Sequence, residues 1–363
     1  MFEYKNGFSK FSGTKSHKIV AETMIEKPLV SIMIPTYRRP FLLKETIESA
    51  LCQQTDFPFE VVVVDNDSAG FENDVTSDIV NGFGAQNLSL YRNENNLGMI
   101  GNWNRCIELA RAEWLTILHD DDLLKQGCLQ ELYSNRLKRS VIAASTEIFG
   151  ENCRAPAAKG IIKRCISYPT EIIRFKLAKR RTVRPFDVFA NCPITASGAM
   201  FNKAACLELG GYDSDQWPLC DYLFNAKYIS TFGGIVLKER LVKYRIFENE
   251  SNNPDTFLAV PDGTFKLRTN ILRRMVSSGL VYYFLSLFIS YIHKLERQIA
   301  INKYRQLGAA NSVNATARLH QHGFVGNDVP HPALKLRMIF FVCWLVIAMH
   351  DLIPGTHKLT IRL

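Results

Sequence analysis

Three short, almost unbroken apolar runs end abruptly in polar clusters. LVSIMI (29–34) runs into PTYRR, VVVV (61–64) into DNDS, and WLTIL (114–118) into HDDD. A strand with one wet face alternates apolar and polar residues. Apolar residues at consecutive positions imply cover on both faces, the habit of parallel sheets. The intervening sequence is helical in pattern. Pro40 suits a first helical turn, and Leu43, Ile47 and Leu51 then recur on one face. Strand, helix and strand within about 35 residues make a βαβ unit with a right-handed crossover. LSLYR (88–92) reads as a further strand and MIGNWNRCIELARAE (99–113) as a further helix. The expected fold is α/β, a mostly parallel sheet flanked by helices.

The polar clusters all fall at carboxyl ends of strands, where open α/β sheets bind their ligands. Asp120, Asp121 and Asp122 stand side by side there and repel one another unless a cation joins them. A hard divalent ion such as Mg²⁺ takes one or two protein carboxylates and completes its shell with diphosphate oxygens. The cluster therefore points to a metal holding a nucleotide diphosphate. It reads alternatively as an acidic cap for a helix beginning near Leu123.

Composition narrows the partners. The formal net charge is +9, which suits nucleotide phosphates, an anionic membrane surface or nucleic acid. No recognisable nucleic-acid motif interleaves the basic residues with aromatics, so a nucleic-acid partner is not expected. The nine cysteines are scattered singly without any C-x-x-C pair, as in reduced core positions of a cytosolic protein. The N-terminal residues have no apolar run of the secretory kind. Three regions are expected: a flexible lead-in over 1–27, a domain over 28–258, and a basic, apolar helical region over 259–363. The last holds two apolar runs, LVYYFLSLFISYI (280–292) and IFFVCWLVIAM (339–349), both flanked by bases. Each is too short for a span of about 20 residues. They read either as buried helices or as helices lying on an anionic leaflet.

Taken in order, VSIMIPTYRR, VVVVDNDS, NNLGMIGNWN and LTILHDDDLL resemble the family 2 glycosyltransferases of the GT-A (Rossmann-like) fold, from about Leu29 to about Asn253. The resemblance implies an inverting, metal-dependent enzyme using Mg²⁺ or Mn²⁺. It would move sugar from a nucleotide-diphosphate donor, UDP- or dTDP-linked, to a saccharide or lipid-linked saccharide. A role in bacterial surface polysaccharide or lipid-linked oligosaccharide synthesis is common in that family, at the cytoplasmic face of the membrane.

The same resemblance assigns the residues. Pro35, Thr36 and Tyr37 would line the base and ribose pocket, with Arg39, Asp65, Asn66 and Asn102 in the nucleotide set. Asp120 would lie toward the ribose, and Asp121 and Asp122 would hold the metal. Arg245 is expected on the diphosphate, as a guanidinium fork fits phosphate oxygens, or in a surface ion pair. NCPITASGAMFNKAACLELGGYDSDQWPLCDYLF (191–224) resembles the acceptor segment, in which Asp221 would be the base that deprotonates the acceptor hydroxyl. Asp221 alternatively reads as a helix cap. Three positions depart from the family pattern: Asn66 sits inside DND, His119 leads the aspartates, and Cys220 precedes Asp221. His119 is expected to orient a carboxylate rather than bind the ion, because Mg²⁺ prefers oxygen.

Two other classes fit parts of the pattern. A nucleotidyltransferase acting on sugar phosphates also uses a sheet with metal-binding carboxylates, but PTYRRP lacks the glycine of a phosphate loop. A catalytically inactive GT-A scaffold is opposed by the presence of Asp121 and Asp221.

Overall fold

The structure, a computed structural model, describes residues 4–20, 25–69, 74–150, 179–183, 192–247, 250–275 and 279–306. Ten strands form one sheet: β1 (Ser16–Val20), β2 (Val30–Thr36), β3 (Phe59–Asp65), β4 (Leu88–Asn93), β5 (Trp114–Ile117), β6 (Leu123–Leu124), β7 (Val141–Gly150), β8 (Arg180–Val183), β9 (Met200–Asn202) and β10 (Gly234–Ile246). Their order is β1-β4-β3-β2-β5-β9-β7-β10-β6, with β8 also on β10. β4, β3, β2 and β5 run parallel, as do β7 and β10. β9 is antiparallel to both its neighbours and joins the two parallel groups.

The described helices are α1 (Pro40–Leu51), α2 (Val75–Phe83), α3 (Gly98–Leu109), α4 (Cys128–Ser134), α5 (Lys203–Leu209), α6 (Cys220–Phe232), α7 (Pro254–Met275) and α8 (Gly279–Gln306). The unbroken apolar runs have the expected cause. Successive side chains of a strand point to opposite faces, and here both faces are covered. Ile32, Ile34, Val61 and Val63 pack with Leu43 and Ile47 of α1. Met33, Val62, Val64, Leu115 and Ile117 pack on the other side with Ile100, Trp103 and Ile107 of α3. From β2 the chain passes through α1 on one face to β3 and then β4, and it returns through α3 on the other face to β5 beside β2; the crevice at the carboxyl ends of β2 and β5 is the switch point where such folds bind ligands.

Three expectations need correction. Residues 4–20 are not a flexible lead-in: β1 pairs antiparallel with β4, and the Gly7 amide donates to the Gly210 carbonyl at 2.8 Å. β1 (SHKIV) is an edge strand, largely solvent-facing and therefore polar, which hides its pattern. No helix begins at Leu123. That residue starts the short strand β6, paired with β10, and α4 follows only at Cys128. The boundary at 258 does not separate two cores, because Leu267, Ile271 and Leu272 of α7 and Leu285, Phe288, Ile289 and Ile292 of α8 join the core of α3 and α6. The run at 280–292 is thus mainly core packing, with Tyr283 and Leu287 left exposed. The run at 339–349 lies outside the described residues. No helix among the described residues is long and apolar enough to cross a membrane.

Candidate active site

The crevice is built from the ends of β2 and β5. Thr36, the last residue of β2, donates its hydroxyl to Asp120 Oδ2 at 2.8 Å. Beyond it the backbone turns sharply at Arg38, whose φ of 56° is in the left-handed region. This costly conformation for a side chain with a Cβ puts Arg38 against Asp67 at 2.8 Å. It also leads into Arg39, which reaches Asp121 Oδ2 at 3.0 Å and Asp120 Oδ1 at 3.5 Å. Pro35 lies within β2, and Tyr37 is 41% exposed at its end.

After β5 the chain makes a tight turn in which the Asp122 amide donates to the His119 carbonyl at 3.1 Å. β10 braces this turn: the Arg245 amide donates to Asp122 Oδ1 and its Nε to the Asp121 carbonyl, each at 2.9 Å. The Arg245 guanidinium also pairs with Glu45 of α1. Arg245 therefore holds the aspartate turn together, and its surface ion pair is present. Thr46 of α1 donates to the Asp122 carbonyl at 3.0 Å.

The three aspartates are nearly buried. Burial pushes the Asp120 carboxyl up to about 6 against the pull of Arg39 and Thr36. Burial and then the charge of Asp121 push Asp122 up to about 7, partly offset by Ser197 and the Arg245 amide. Burial also holds the His119 imidazole down at about 4, so that ring is neutral at physiological pH. Its plane stacks on Trp103 at 4.9 Å, and its backbone amide donates to the Ser197 hydroxyl at 3.1 Å. Two buried atoms here lack hydrogen-bond partners, His119 Nε2 and Asp122 Oδ2. One ligating atom from each of His119, Asp121 and Asp122 fits within a span of 4.8 Å. Buried polar atoms are rarely left unsatisfied, and an imidazole nitrogen beside carboxylate oxygens is a donor set that a divalent cation fits.

At the end of β3, Asp65 accepts from the Asp67 amide at 3.0 Å and from Arg92 at 3.2 Å. Its carboxyl is raised, chiefly by burial. Asn66 does not present a free amide to a base edge. Its Nδ2 donates to Asn96 and Gly98, and its Oδ1 accepts from Asn93 and Leu97. Asn102 is likewise enclosed, donating to the Val64 carbonyl at 3.0 Å and accepting from Asn93 at 2.9 Å. These asparagines form a buried network tying the ends of β3 and β4 to α3. Asn93, at its centre, was not anticipated. Its only sequence signal is its place in RNENN after a strand, where an exposed turn is the usual reading.

Just before β9, Gly198 closes against β5 through a 2.8 Å bond from its amide to the Ile117 carbonyl. Its φ is +77°, and a Cβ there would meet Val242 at 2.7 Å, so only glycine fits. Gly210 and Gly211 turn the chain toward Tyr212 and Asp213. Asp221 lies in the first turn of α6, two residues past the N-cap position Leu219, whose side chain makes no cap bond. The Asp221 carboxylate accepts from the Tyr222 amide at 2.7 Å, and burial raises its pKa. An aromatic line links the two halves, since Trp103 meets both His119 and Tyr212, and the charge of Asp221 acts on the Tyr212 hydroxyl.

The family model for Glycosyl transferase family 2 matches residues 31–201, which carry β2, the aspartate turn and β9. This segment is similar to the family 2 glycosyltransferases. Asp221 and Arg245 lie beyond the matched stretch. An uncharacterized protein of Mycobacterium tuberculosis is 38% identical over 209 residues, 54% of this chain and 61% of that relative, so the chain spans less than two thirds of its length. An uncharacterized glycosyltransferase of Methanocaldococcus jannaschii is 27% identical over 61% of this chain and 72% of its own. A GalNAc(5)-diNAcBac-PP-undecaprenol beta-1,3-glucosyltransferase of Campylobacter jejuni is 33% identical over 29% of this chain and 33% of its own. Among solved structures, S. aureus TarS 1–349 in complex with UDP-GlcNAc is similar in fold. Its TM-score is 0.50 at 17% identity, covering 81% of this chain and 79% of that one. The described sheet and helices thus have the GT-A architecture.

Proposed function

We propose that the chain is an inverting glycosyltransferase, moving a sugar from a nucleoside-diphosphate donor to a hydroxyl acceptor with the help of a divalent cation. The observation that carries this reading is the buried aspartate turn at the switch point of a segment similar to the family 2 glycosyltransferases, with one carboxylate oxygen of Asp122 unpartnered. Asp121 and Asp122 would hold the cation, Mg²⁺ or Mn²⁺, which when bound neutralises the diphosphate and the leaving group's charge. Asp120, fixed by Thr36, faces the ribose. Arg39 steadies Asp120 and Asp121, and Arg245 holds the turn in shape. Tyr37 offers an exposed ring at the crevice, beside Pro35.

Asp221 removes the acceptor proton as its oxygen attacks the anomeric carbon. The bond to the diphosphate breaks on the opposite face, so the anomer inverts. A carboxyl raised by burial is a stronger base than an exposed one, which suits this role. UDP- or dTDP-sugars are the donors proposed. A lipid-linked saccharide is the acceptor proposed, in line with the name of the Campylobacter relative, and surface polysaccharide or lipid-linked oligosaccharide synthesis is the setting. The charge of +9 would favour peripheral contact with an anionic cytoplasmic leaflet. Sedimentation with anionic vesicles should then weaken at high salt, and none at low salt would contradict the contact.

Calorimetric titration with UDP and dTDP, with and without Mn²⁺, tests the core of the reading, together with a screen of nucleotide sugars for hydrolysis. Metal-dependent diphosphate affinity and turnover of at least one sugar are expected. Absence of both would return the chain to the inactive-scaffold reading.

A further inference from the structure

We infer that His119 is itself a metal ligand, and that it biases the site toward a transition-metal ion of the Mn²⁺ class over Mg²⁺. The inference rests on the reading that the aspartate turn holds a divalent cation and goes beyond it by naming a nitrogen ligand. It also reverses the expectation that His119 only orients a carboxylate.

An orienting histidine would hydrogen-bond the carboxylate it orients. His119 Nδ1 stands 3.9 Å from Asp122 Oδ2, too far for such a bond. Asp122 is fully buried, and its Oδ2 has no hydrogen-bond partner. Burying a carboxylate oxygen unsatisfied costs more than a hydrogen bond returns, unless something else completes it. Ligands each about 2.1 Å from one ion stand roughly 3.0 Å apart at right angles and roughly 4.2 Å apart when opposite. The 3.9 Å between Nδ1 and Oδ2 falls in that interval, so Nδ1 is the nitrogen that would ligate. One atom of each of His119, Asp121 and Asp122 lies within 4.8 Å of the others, so binding would draw Asp121 inward.

The ring is also held in place, as a ligand must be. Trp103 stacks on one face, and the backbone on which His119 sits is bonded to Ser197. Imidazole is a borderline donor that Mg²⁺ shuns and that first-row transition ions accept.

The test uses the full-length protein with Mn²⁺ and UDP, and reads electron spin-echo modulation from ¹⁴N coupled to the bound Mn²⁺. Modulation is expected in the native protein and should vanish in His119→Asp. That variant supplies an oxygen instead, so it should still bind metal while its Mn²⁺-to-Mg²⁺ affinity ratio falls by about 10-fold or more, the lower end of what loss of even a supporting partner costs. His119→Gln, checked for a normal unfolding midpoint, gives the same comparison should the aspartate prevent folding. Mn²⁺ bound without ¹⁴N modulation, or with modulation that survives His119→Asp, overturns the ligand role and leaves the carboxylate site standing. Failure of Mn²⁺ to bind at all, with UDP or without, overturns both.

Discussion

Asp121 and Asp221 are both acidic and buried or half-buried, yet the proposed mechanism gives them different work. Asp121 sits in the aspartate turn with Arg39, so Asp121→Asn should weaken metal-dependent nucleotide binding and transfer together. Asp221 stands on α6 and touches no residue of that turn through any described hydrogen bond. Asp221→Asn should therefore lower kcat by about 10² to 10⁴, the range for loss of a general base. Donor affinity should stay near its native value, the signature of an interaction made only in the transition state. An asparagine oxygen can accept the same bond from the Tyr222 amide, so the fold should not change. Isothermal titration with UDP and Mn²⁺ alongside turnover separates the two variants. Near-normal turnover of Asp221→Asn would remove it as the base and direct attention to Asp213, which is buried nearby.

The N-terminal segment and the turn before α6 act as one element although about 200 positions separate them. The Lys5 amide donates to Asp213 at 2.9 Å, and its ammonium pairs with Asp215 at 2.8 Å. Tyr4 donates to the Gly211 carbonyl. Asn104 of α3 bonds both the amide and the carbonyl of Tyr212, at 2.7 and 2.8 Å. Gly7 passes so close that a Cβ would lie 1.9 Å from the Tyr212 carbonyl oxygen. That neighbour is backbone and already bonded, so it cannot step aside. Gly7→Ala should destabilise the protein by roughly 1–3 kcal/mol, as overpacking does, seen as a lower urea midpoint at unchanged slope. It should also impair turnover more than donor binding, because the disturbed turn leads into Asp221. An unchanged urea midpoint would show that the segment does not clamp the turn.

For the molecule as a whole, the buried acids set how stability follows pH. Asp120 and Asp122 titrate at about 6 and about 7 when folded, against about 3.9 for an unfolded aspartate. Between these values the folded state holds more protons than the unfolded one, so metal-free stability falls as pH rises through the window. His119, held at about 4 against about 6.5 unfolded, acts oppositely, but as one group against two. Asp67 and Asp74, lowered with Arg38 and Arg92 as partners, contribute only below about pH 4. The melting temperature in EDTA should drop from pH 5 to pH 7, and Mn²⁺ should restore more at pH 7, where the carboxylates are ionised. Asp122→Asn should flatten the EDTA profile. A rise across the window in EDTA would contradict the assignment of buried, cation-seeking carboxylates.

The parallel sheet, α1 and α3, and the gathering of Thr36, Arg39 and Asp120 to Asp122 at strand ends were legible in the residues, because each follows from a period or a sharp change of polarity within a few positions. Asp221 was legible as an acid in a first helical turn, but its place two residues past the cap position was not, since that depends on the path of the chain at Leu219. Asn66 shows the limit on the nucleotide side: an amide after a strand can face a ligand or the interior, and only the arrival of Asn93, Asn96 and Leu97 commits it inward. The N-terminal clamp left no local trace, because its bonds join residues on different elements and its edge strand is polar. Local pattern acts through backbone periodicity and burial, so it specifies which segments become strands and helices and which faces they bury. Which polar groups meet, and which buried atoms are left without a partner, depends on contacts between distant segments, and these form when the sheet and its helices close around the crevice.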